Sequence, residues 1–239
     1  MRQTAWLTFG LFALIALWDF SGLDLIMARW FGSPTGFALR DHWLWSTVLH
    51  TGARRVAWVL QLLLLIAIWW PFGVLRRIGR SERAGIFLSA MLILLVISSF
   101  KSFNTNSCPW DLAEFGGHAR YVSHWNWGID DGGAGRCFPA GHASAAFCFL
   151  PGYVWLRKGA PRQARVWLIA TLVAAMTIGL AQQIRGAHYF SHTLWTGWIS
   201  WVVASLVHHA WTLRRQLRRP VERTNNPNAI DSPGGTQRW

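Results

Sequence analysis

The sequence predicts an all-α fold, a six-helix transmembrane bundle with both termini in the cytoplasm. Of the 239 residues, 52% are hydrophobic and only 14% are charged, whereas soluble domains carry about 25% charged residues. Six apolar runs approach the roughly 17–25 residues that a helix needs to cross the hydrocarbon core. Lys and Arg are concentrated in alternate connections between these runs, which is typical of a multi-pass membrane protein.

The six predicted spans form a membrane domain, residues 1–213, which is followed by a tail, residues 214–239. The first run ends in Trp18-Asp19-Phe20 without a clear small-residue cleavage site, so we interpret it as a membrane helix rather than a secretory signal. The tail begins with basic residues and is poor in apolar residues after Pro220, which predicts a disordered cytoplasmic segment. The predicted spans are Thr4–Phe20, Val56–Leu75, Ala84–Phe100, Pro139–Leu156, Val166–Ile184 and Thr193–Leu213.

The positions of Lys and Arg predict the orientation. The connections after the second and fourth spans and the start of the tail each hold four basic residues. With Arg2 and the rest of the tail, these segments account for 15 of the 23 Lys and Arg residues. Because such residues concentrate in cytoplasmic loops, both termini are predicted to be cytoplasmic. The net charge of +13 is therefore a sign of topology, and no nucleic-acid partner is expected.

Three clusters of ionisable residues lie on the opposite, periplasmic side. Lys101 follows the third span in SSFKSF, His142 opens the fourth in FPAGHAS, and Arg185, His188 and His192 lie between the fifth and sixth in QQIRGAHYFSHTLW. Ionisable groups near membrane depth are costly and usually face a cavity in which they pair with one another. We therefore expect the three clusters to share one pocket.

The residue types in this pocket suit a phosphate ester. The PAGH segment predicts a helix N-terminus, where backbone N–H groups bind anions, and Ala140 and Gly141 are small enough for an oxyanion to approach them. A histidine in that turn can protonate a leaving oxygen. A second histidine can attack phosphorus and form a phosphohistidine. Two such histidines with a basic cradle need no metal or other cofactor.

At these residues the sequence resembles the type 2 phosphatidic acid phosphatase superfamily, whose integral-membrane phosphatases carry the motifs K-x6-R-P, P-S-G-H and S-R-x5-H-x3-D. The PAGH segment resembles the second motif with Ala140 in place of Ser, and RGAHYFSH resembles the third. The resemblance implies that His188 is the nucleophile and that His142 is the general acid and then the general base. It also implies that Lys101, Ala140 and Gly141 bind the phosphoryl oxygens.

The sequence departs from the family motifs at three charged positions. Cys108 stands where the first motif usually has Arg, and Gln182 stands six residues before the nucleophile, where the third motif has Arg. Arg185 lies about one helical turn after Gln182 and is a candidate to supply the missing charge. His192 replaces the Asp that follows the nucleophile, so it is a candidate orienting residue, and Asp111 is a candidate replacement carboxylate.

Cys108 and Cys137 bracket the long loop before the PAGH segment. Both lie on the predicted periplasmic side, where disulfides form, so we expect a disulfide between them; the alternative is two unpaired thiols. Cys148 falls inside the fourth span and is expected to pack there as a free thiol.

The sequence therefore predicts a bacterial inner-membrane phosphatase or phosphotransferase whose substrate is a lipid phosphate or diphosphate. Isoprenoid-lipid diphosphates, phosphatidic-acid-like lipids and lipid A phosphates all remain open, as do the acceptor and the oligomeric state. One alternative is a metal-dependent hydrolase that uses His188 and His192 with His118 or His124. The other is a non-catalytic protein that binds phospholipid headgroups through a degenerate site.

Overall fold

The computed structural model describes residues 2–224. The rest of the predicted tail, residues 225–239, lies outside the described residues. A short antiparallel hairpin joins Gly32–Ser33 (β1) to Gly36–Phe37 (β2), and a π-helical segment, Leu44–Gly52, continues directly into α3. The α-helices are α1 (Arg2–Phe20), α2 (Leu23–Arg29), α3 (Ala53–Ala67), α4 (Arg80–Phe103), α5 (Ser144–Phe147), α6 (Leu150–Leu156), α7 (Pro161–Ile184) and α8 (Phe190–Thr224).

Four helical stretches among residues 2–224 are long and apolar enough to cross a membrane. They are α1, the continuous helix Leu44–Ala67, α4 and α7. The predicted all-α membrane fold is thus observed, but the predicted count of six spans is not. The helix α8 exceeds the required length, but polar and tryptophan side chains interrupt its apolar run.

The predicted fourth span, Pro139–Leu156, is not one continuous helix. Residues before Ser144 form a turn, and the helical part is divided between α5 and α6. Pro151 causes the division because proline has no N–H for a helix interior but fits the first turn, and it stands in the first turn of α6. At about 1.5 Å per residue the stretch Ser144–Leu156 reaches only about 20 Å, short of the roughly 30 Å hydrocarbon core.

Two other helices have boundaries that differ from those of the predicted spans. The second span was predicted over Val56–Leu75, but its helix covers Leu44–Ala67; Arg54 and Arg55 interrupt the hydropathy pattern although they lie within the helix. The helix that contains the last predicted span continues beyond Leu213, because α8 extends through Pro220 to Thr224.

Small residues allow the central helices to approach closely. A Cβ atom on Gly85 in α4 would lie 2.2 Å from the ring of Trp155 in α6, and one on Gly179 in α7 would lie 2.4 Å from Thr193 in α8. Without a hydrophobic driving force inside lipid, such close packing supplies much of the helix association. Close packing of these helices therefore requires a residue without a side chain at Gly85 and at Gly179.

One end of the bundle is covered by a cap, which we define as residues 21–43 and 104–138. The C-terminal ends of α4 and α7 meet the N-terminal ends of α8 and of the helix Leu44–Ala67 beneath this cap. Its own core contains Phe37, Leu112 and Phe115 from both parts of the cap, together with Tyr189 from the connection between α7 and α8. The cap is thus packed directly onto the segment that holds the candidate nucleophile.

We expect Gly85→Ala to lower stability, because the new methyl group would overlap the Trp155 ring and overpacking costs about 1–3 kcal/mol. Thermal unfolding in detergent measures the change. Gly10→Ala is the matched control, since a Cβ atom at Gly10 in α1 meets nothing within 4 Å. Equal melting temperatures for both variants would contradict the proposed role of this contact.

Candidate active site

His188 lies in a tight connection whose two ends are fixed. Gly186 has a φ of 73°, and the bonds from Gly186 N–H to Gln183 O (2.9 Å) and from Ala187 N–H to Gln182 O (2.8 Å) end α7, as glycine commonly does at helix C-termini. A Cβ atom at Gly186 would also overlap the Phe37 ring, at 2.4 Å. The local sequence therefore returns the chain sharply toward the bundle.

The start of α8 is held by Asp24 of α2. The carboxylate accepts a hydrogen bond from the Ser191 N–H at 3.0 Å and a short one from the Ser191 hydroxyl. It also accepts one from Trp18 Nε1 at 2.9 Å. A carboxylate at a helix N-terminus satisfies free N–H groups and complements the helix dipole. Asp24 thus fixes the second end of the His188 connection.

The His188 ring is almost completely buried, with only 2% of the residue exposed. Its Nδ1 lies 3.6 Å from Cys137 Sγ; that sulfur is in a disulfide and carries no hydrogen, so it can only accept. Burial, with a further contribution from the positive charge of Lys101, lowers the pKa of His188 well below its ordinary value. The ring is therefore neutral, and the tautomer with Nδ1–H leaves the Nε2 lone pair free.

His142 and Lys101 approach His188 from two other elements. The rings of His142 and His188 have centroids 6.0 Å apart. Lys101 lies in the last turn of α4, and its Cδ and Nζ are 3.4 and 3.9 Å from the position of a Cβ atom on Gly141. The structure thus brings together the four residues Lys101, Gly141, His142 and His188; that they line one ligand pocket stays a prediction.

The PAGH segment differs from its predicted geometry. It forms a turn before α5 rather than the first turn of a helix. The Ala140 N–H donates to His192 O at 3.3 Å, and the Ala140 carbonyl accepts from Thr196 Oγ1 at 3.2 Å. The predicted phosphate-binding N–H of Ala140 is therefore already occupied, whereas the next N–H, that of Gly141, has no acceptor among residues 2–224.

Covalent and hydrogen bonds tie this turn to the end of α4. The predicted disulfide between Cys108 and Cys137 is present, with Cα atoms 5.1 Å apart, and Cys148 is a buried free thiol. Asn104 Oδ1 accepts from the Phe138 N–H at 3.0 Å, and Asn106 O accepts from the Cys137 N–H at 2.9 Å. Lys101 and His142, 41 residues apart, are thereby held together.

Arg185 reaches the side chain that replaces the usual motif arginine. Its Nη1 donates to Gln182 Oε1 at 3.1 Å, and its Nε donates to the carbonyl of Arg40 at 2.7 Å. Its guanidinium also lies 5.9 Å from the centre of the Trp110 ring. The residue is buried, with 7% exposed. The interpretation that Arg185 compensates for Gln182 is consistent with this geometry.

The two candidate replacements for the motif carboxylate have other partners. His192 Nδ1 bonds the Cys137 carbonyl at 3.1 Å, and its ring centroid is 6.2 Å from that of His188. Asp111 Oδ2 accepts from Trp110 Nε1 at 3.0 Å and from the Cys108 N–H at 3.3 Å, and burial raises the pKa of Asp111. Among residues 2–224, neither side chain is hydrogen bonded to His188, because the Cys137 carbonyl binds His192 and the Cys108–Trp110 segment binds Asp111.

A buried carboxylate that the sequence analysis missed lies behind His192. Asp19 Oδ2 accepts from Trp195 Nε1 at 2.7 Å and lies 3.3 Å from His124 Nε2. The His124 ring is 5.3 Å from the His192 ring, centroid to centroid. The sequence places Asp19 only at the end of the first predicted span. No spacing rule connects it with His124 and Trp195, which are more than 100 positions away.

His50 is the second residue that sequence reasoning missed. It lies in the π-helical segment Leu44–Gly52, and its ring centroid is 4.0 Å from that of His142. The available signal was an ionisable residue next to an apolar run, in VLHTGARR. That signal does not select His50, because the sequence predicts that the segment around it connects the first and second spans.

The donor atoms do not fit the alternative metal site. Within the described part of the chain, the cluster of three close donors consists of Cys108 Sγ, Cys137 Sγ and a His188 ring nitrogen. The two sulfurs are bonded to each other, whereas metals bind the thiolate. His118 and His124 do not belong to this cluster.

Comparisons with known proteins agree with the fold and identify the family. No curated protein matches the sequence significantly. The chain is similar to the crystal structure of the first transmembrane PAP2 type phosphatidylglycerolphosphate phosphatase from Bacillus subtilis, with a TM-score of 0.52 and 15% identity over 84% of this chain and 94% of that chain. At this identity the likeness shows the fold alone. The family model of the PAP2 superfamily matches residues 83–216, more than half of the sequence, and this chain therefore belongs to that superfamily.

Proposed function

We propose that this protein is a phosphatase or phosphotransferase of the bacterial inner membrane that acts on a lipid phosphate or diphosphate at the periplasmic face. The proposed intermediate is a phosphohistidine on His188. The observation that carries the proposal is the convergence of His142 and His188, 6.0 Å apart, beside Lys101. Superfamily membership supports phosphoric-ester chemistry, and a fold shared with a membrane phosphatase is consistent with a lipid substrate.

The first half-reaction transfers the phosphoryl group to the protein. The neutral Nε2 of His188 attacks phosphorus, and the bond from phosphorus to the lipid oxygen breaks. His142 in its doubly protonated, imidazolium form donates a proton to that departing oxygen, so the lipid leaves as an alcohol or a monophosphate and His142 becomes neutral. Lys101 and the Gly141 N–H stabilise the negative charge on the non-bridging oxygens.

The second half-reaction regenerates the histidine. His142, now deprotonated, removes a proton from water as the water oxygen attacks phosphorus, and the bond from phosphorus to Nε2 breaks. Inorganic phosphate is released if water is the acceptor. A lipid hydroxyl in the same position would instead receive the phosphoryl group. No metal takes part in either step.

The distribution of charge supports the proposed orientation. The site is at the end of the bundle that carries the cap, whereas the basic connections 68–79 and 157–160 lie at the opposite end. Because Lys and Arg are usually concentrated on the cytoplasmic side, this distribution supports the proposal that the site faces the periplasm. There an anionic headgroup reaches Lys101 and Arg185 while its acyl or isoprenoid tails remain in lipid.

We expect His188→Ala to reduce phosphate release from a panel of lipid phosphates by at least about a thousandfold, because the nucleophile is lost. His142→Ala should cost about 10²–10⁴-fold through loss of general acid–base catalysis. Purified protein is assayed with and without a chelator, and acid-labile phosphohistidine is measured by rapid quench. His118→Ala, which changes an exposed cap histidine, should behave as the unaltered protein.

Three outcomes would contradict the proposal. Full activity in His188→Ala would remove the nucleophile assignment. Loss of activity with chelator would favour the metal-dependent alternative. Tight binding of phospholipid by the unaltered protein, with no phosphate release from any member of the panel, would favour the degenerate binding site.

We also expect the double variant Cys108→Ser/Cys137→Ser to lose stability and activity together. A disulfide that closes a loop of about 30 residues contributes roughly 3–4 kcal/mol, and its sulfur contacts His188. Thermal unfolding and phosphate release are measured, the latter well below the melting temperature of the variant. Cys148→Ala, which removes only the free thiol, is the control. Unchanged activity of the double variant would show that the disulfide does not support the site.

A further inference from the structure

The ring centroids of His50 and His142 are closer than those of any other ring pair described in residues 2–224. His142 is the proposed acid/base. We infer that His50 is a positioning residue that holds the imidazole of His142 in the orientation required for proton transfer. The inference rests on the proposed function, and it concerns a residue outside the motifs on which that function depends. The ring centroids are 4.0 Å apart, and the ring planes are inclined by 38°.

His142 lacks the usual means of fixing an imidazole. In most catalytic histidines, a hydrogen bond to one nitrogen sets the orientation and tautomer of the other. Here Nδ1 of His142 is buried and has no hydrogen-bond partner among the described residues. Contact with the His50 ring therefore restrains rotation of the His142 side chain.

His50 itself is anchored by the helix that carries it. Its Nδ1 lies 3.4 Å from Thr51 Oγ1, and Thr51 Oγ1 donates to the Ser46 carbonyl at 3.4 Å. The π-helical segment also packs against α7, the helix that leads to His188. Wide π turns inside helices often occur at functional sites. The segment Leu44–Gly52 thus connects the acid/base to the helix before the nucleophile.

This restraint matters in both half-reactions. The same nitrogen of His142 must reach the lipid oxygen in the first step and the water in the second. Misplacement of a catalytic group by about 1 Å can cost about a hundredfold in rate. The adjacent His50 ring limits that displacement without a contact to the substrate, so we assign His50 to positioning and not to catalysis.

The test compares two substitutions of similar size in the purified full-length protein. His50→Phe keeps a flat ring against His142, whereas His50→Leu keeps volume and removes the ring. We expect His50→Leu to lower kcat about tenfold with little change in KM, and His50→Phe to stay within about threefold of the unaltered protein. Melting temperatures establish that both variants are folded. His42→Ala, an exposed histidine in the preceding segment, is the control.

A second readout separates positioning from general damage to the fold. Single-turnover release of the leaving group is measured with an alkyl phosphate and with p-nitrophenyl phosphate. Nitrophenolate departs without a proton, so the first step should be slowed by His50→Leu with the alkyl phosphate and nearly unchanged with p-nitrophenyl phosphate. Equal slowing of both substrates would overturn the inference, because it would indicate a structural defect.

Two further results would overturn the inference while leaving the proposed function intact. One is a kcat for His50→Leu equal to that of the unaltered protein. The other is an equal loss of kcat in the Phe and Leu variants. Failure of the proposed function would look different, because His188→Ala would then retain activity.

Discussion

Two carboxylates at the junction of α1 and α2 hold the candidate active site in place. Asp24 binds the first turn of α8, and Asp19 binds Trp195 one turn further along the same helix. Buried carboxylates are costly unless they are hydrogen bonded, so each requires this arrangement of α1, α2 and α8. Because α8 carries His192 and begins two residues after His188, the position of the candidate nucleophile depends on these two contacts.

Residues outside the matched family region thus contribute much of the scaffold. The family model begins at residue 83, but the Arg40 carbonyl binds Arg185, the Phe37 ring packs against Gly186, and the His50 ring packs against the His142 ring. Each of these contacts reaches a segment that carries a motif residue. Superfamily motifs supply the candidate reacting groups, and the first third of this chain supplies their immediate support.

The sequence was sufficient to select the candidate residues that the structure brings together, because they have fixed spacing and unusual types for a membrane protein; their catalytic roles stay a prediction. It also predicted the disulfide, since Cys108 and Cys137 bracket a loop on one side. It could not predict His50 or Asp19, whose roles arise only from tertiary packing. The helix boundaries failed for local reasons: Pro151 divides an apolar run, and Arg54 and Arg55 interrupt the hydropathy pattern of a continuous helix.

The position of Cys108 has a consequence for comparison within the superfamily. A site that replaces an arginine by half of a disulfide exchanges a long-range charge for a covalent restraint. The bond between Cys108 and Cys137 forms only when two thiols are oxidised, so the same polypeptide exists first without this restraint and then with it. The complete fold of this chain therefore requires, besides the motif histidines, a compartment that supplies oxidising equivalents while the loop folds.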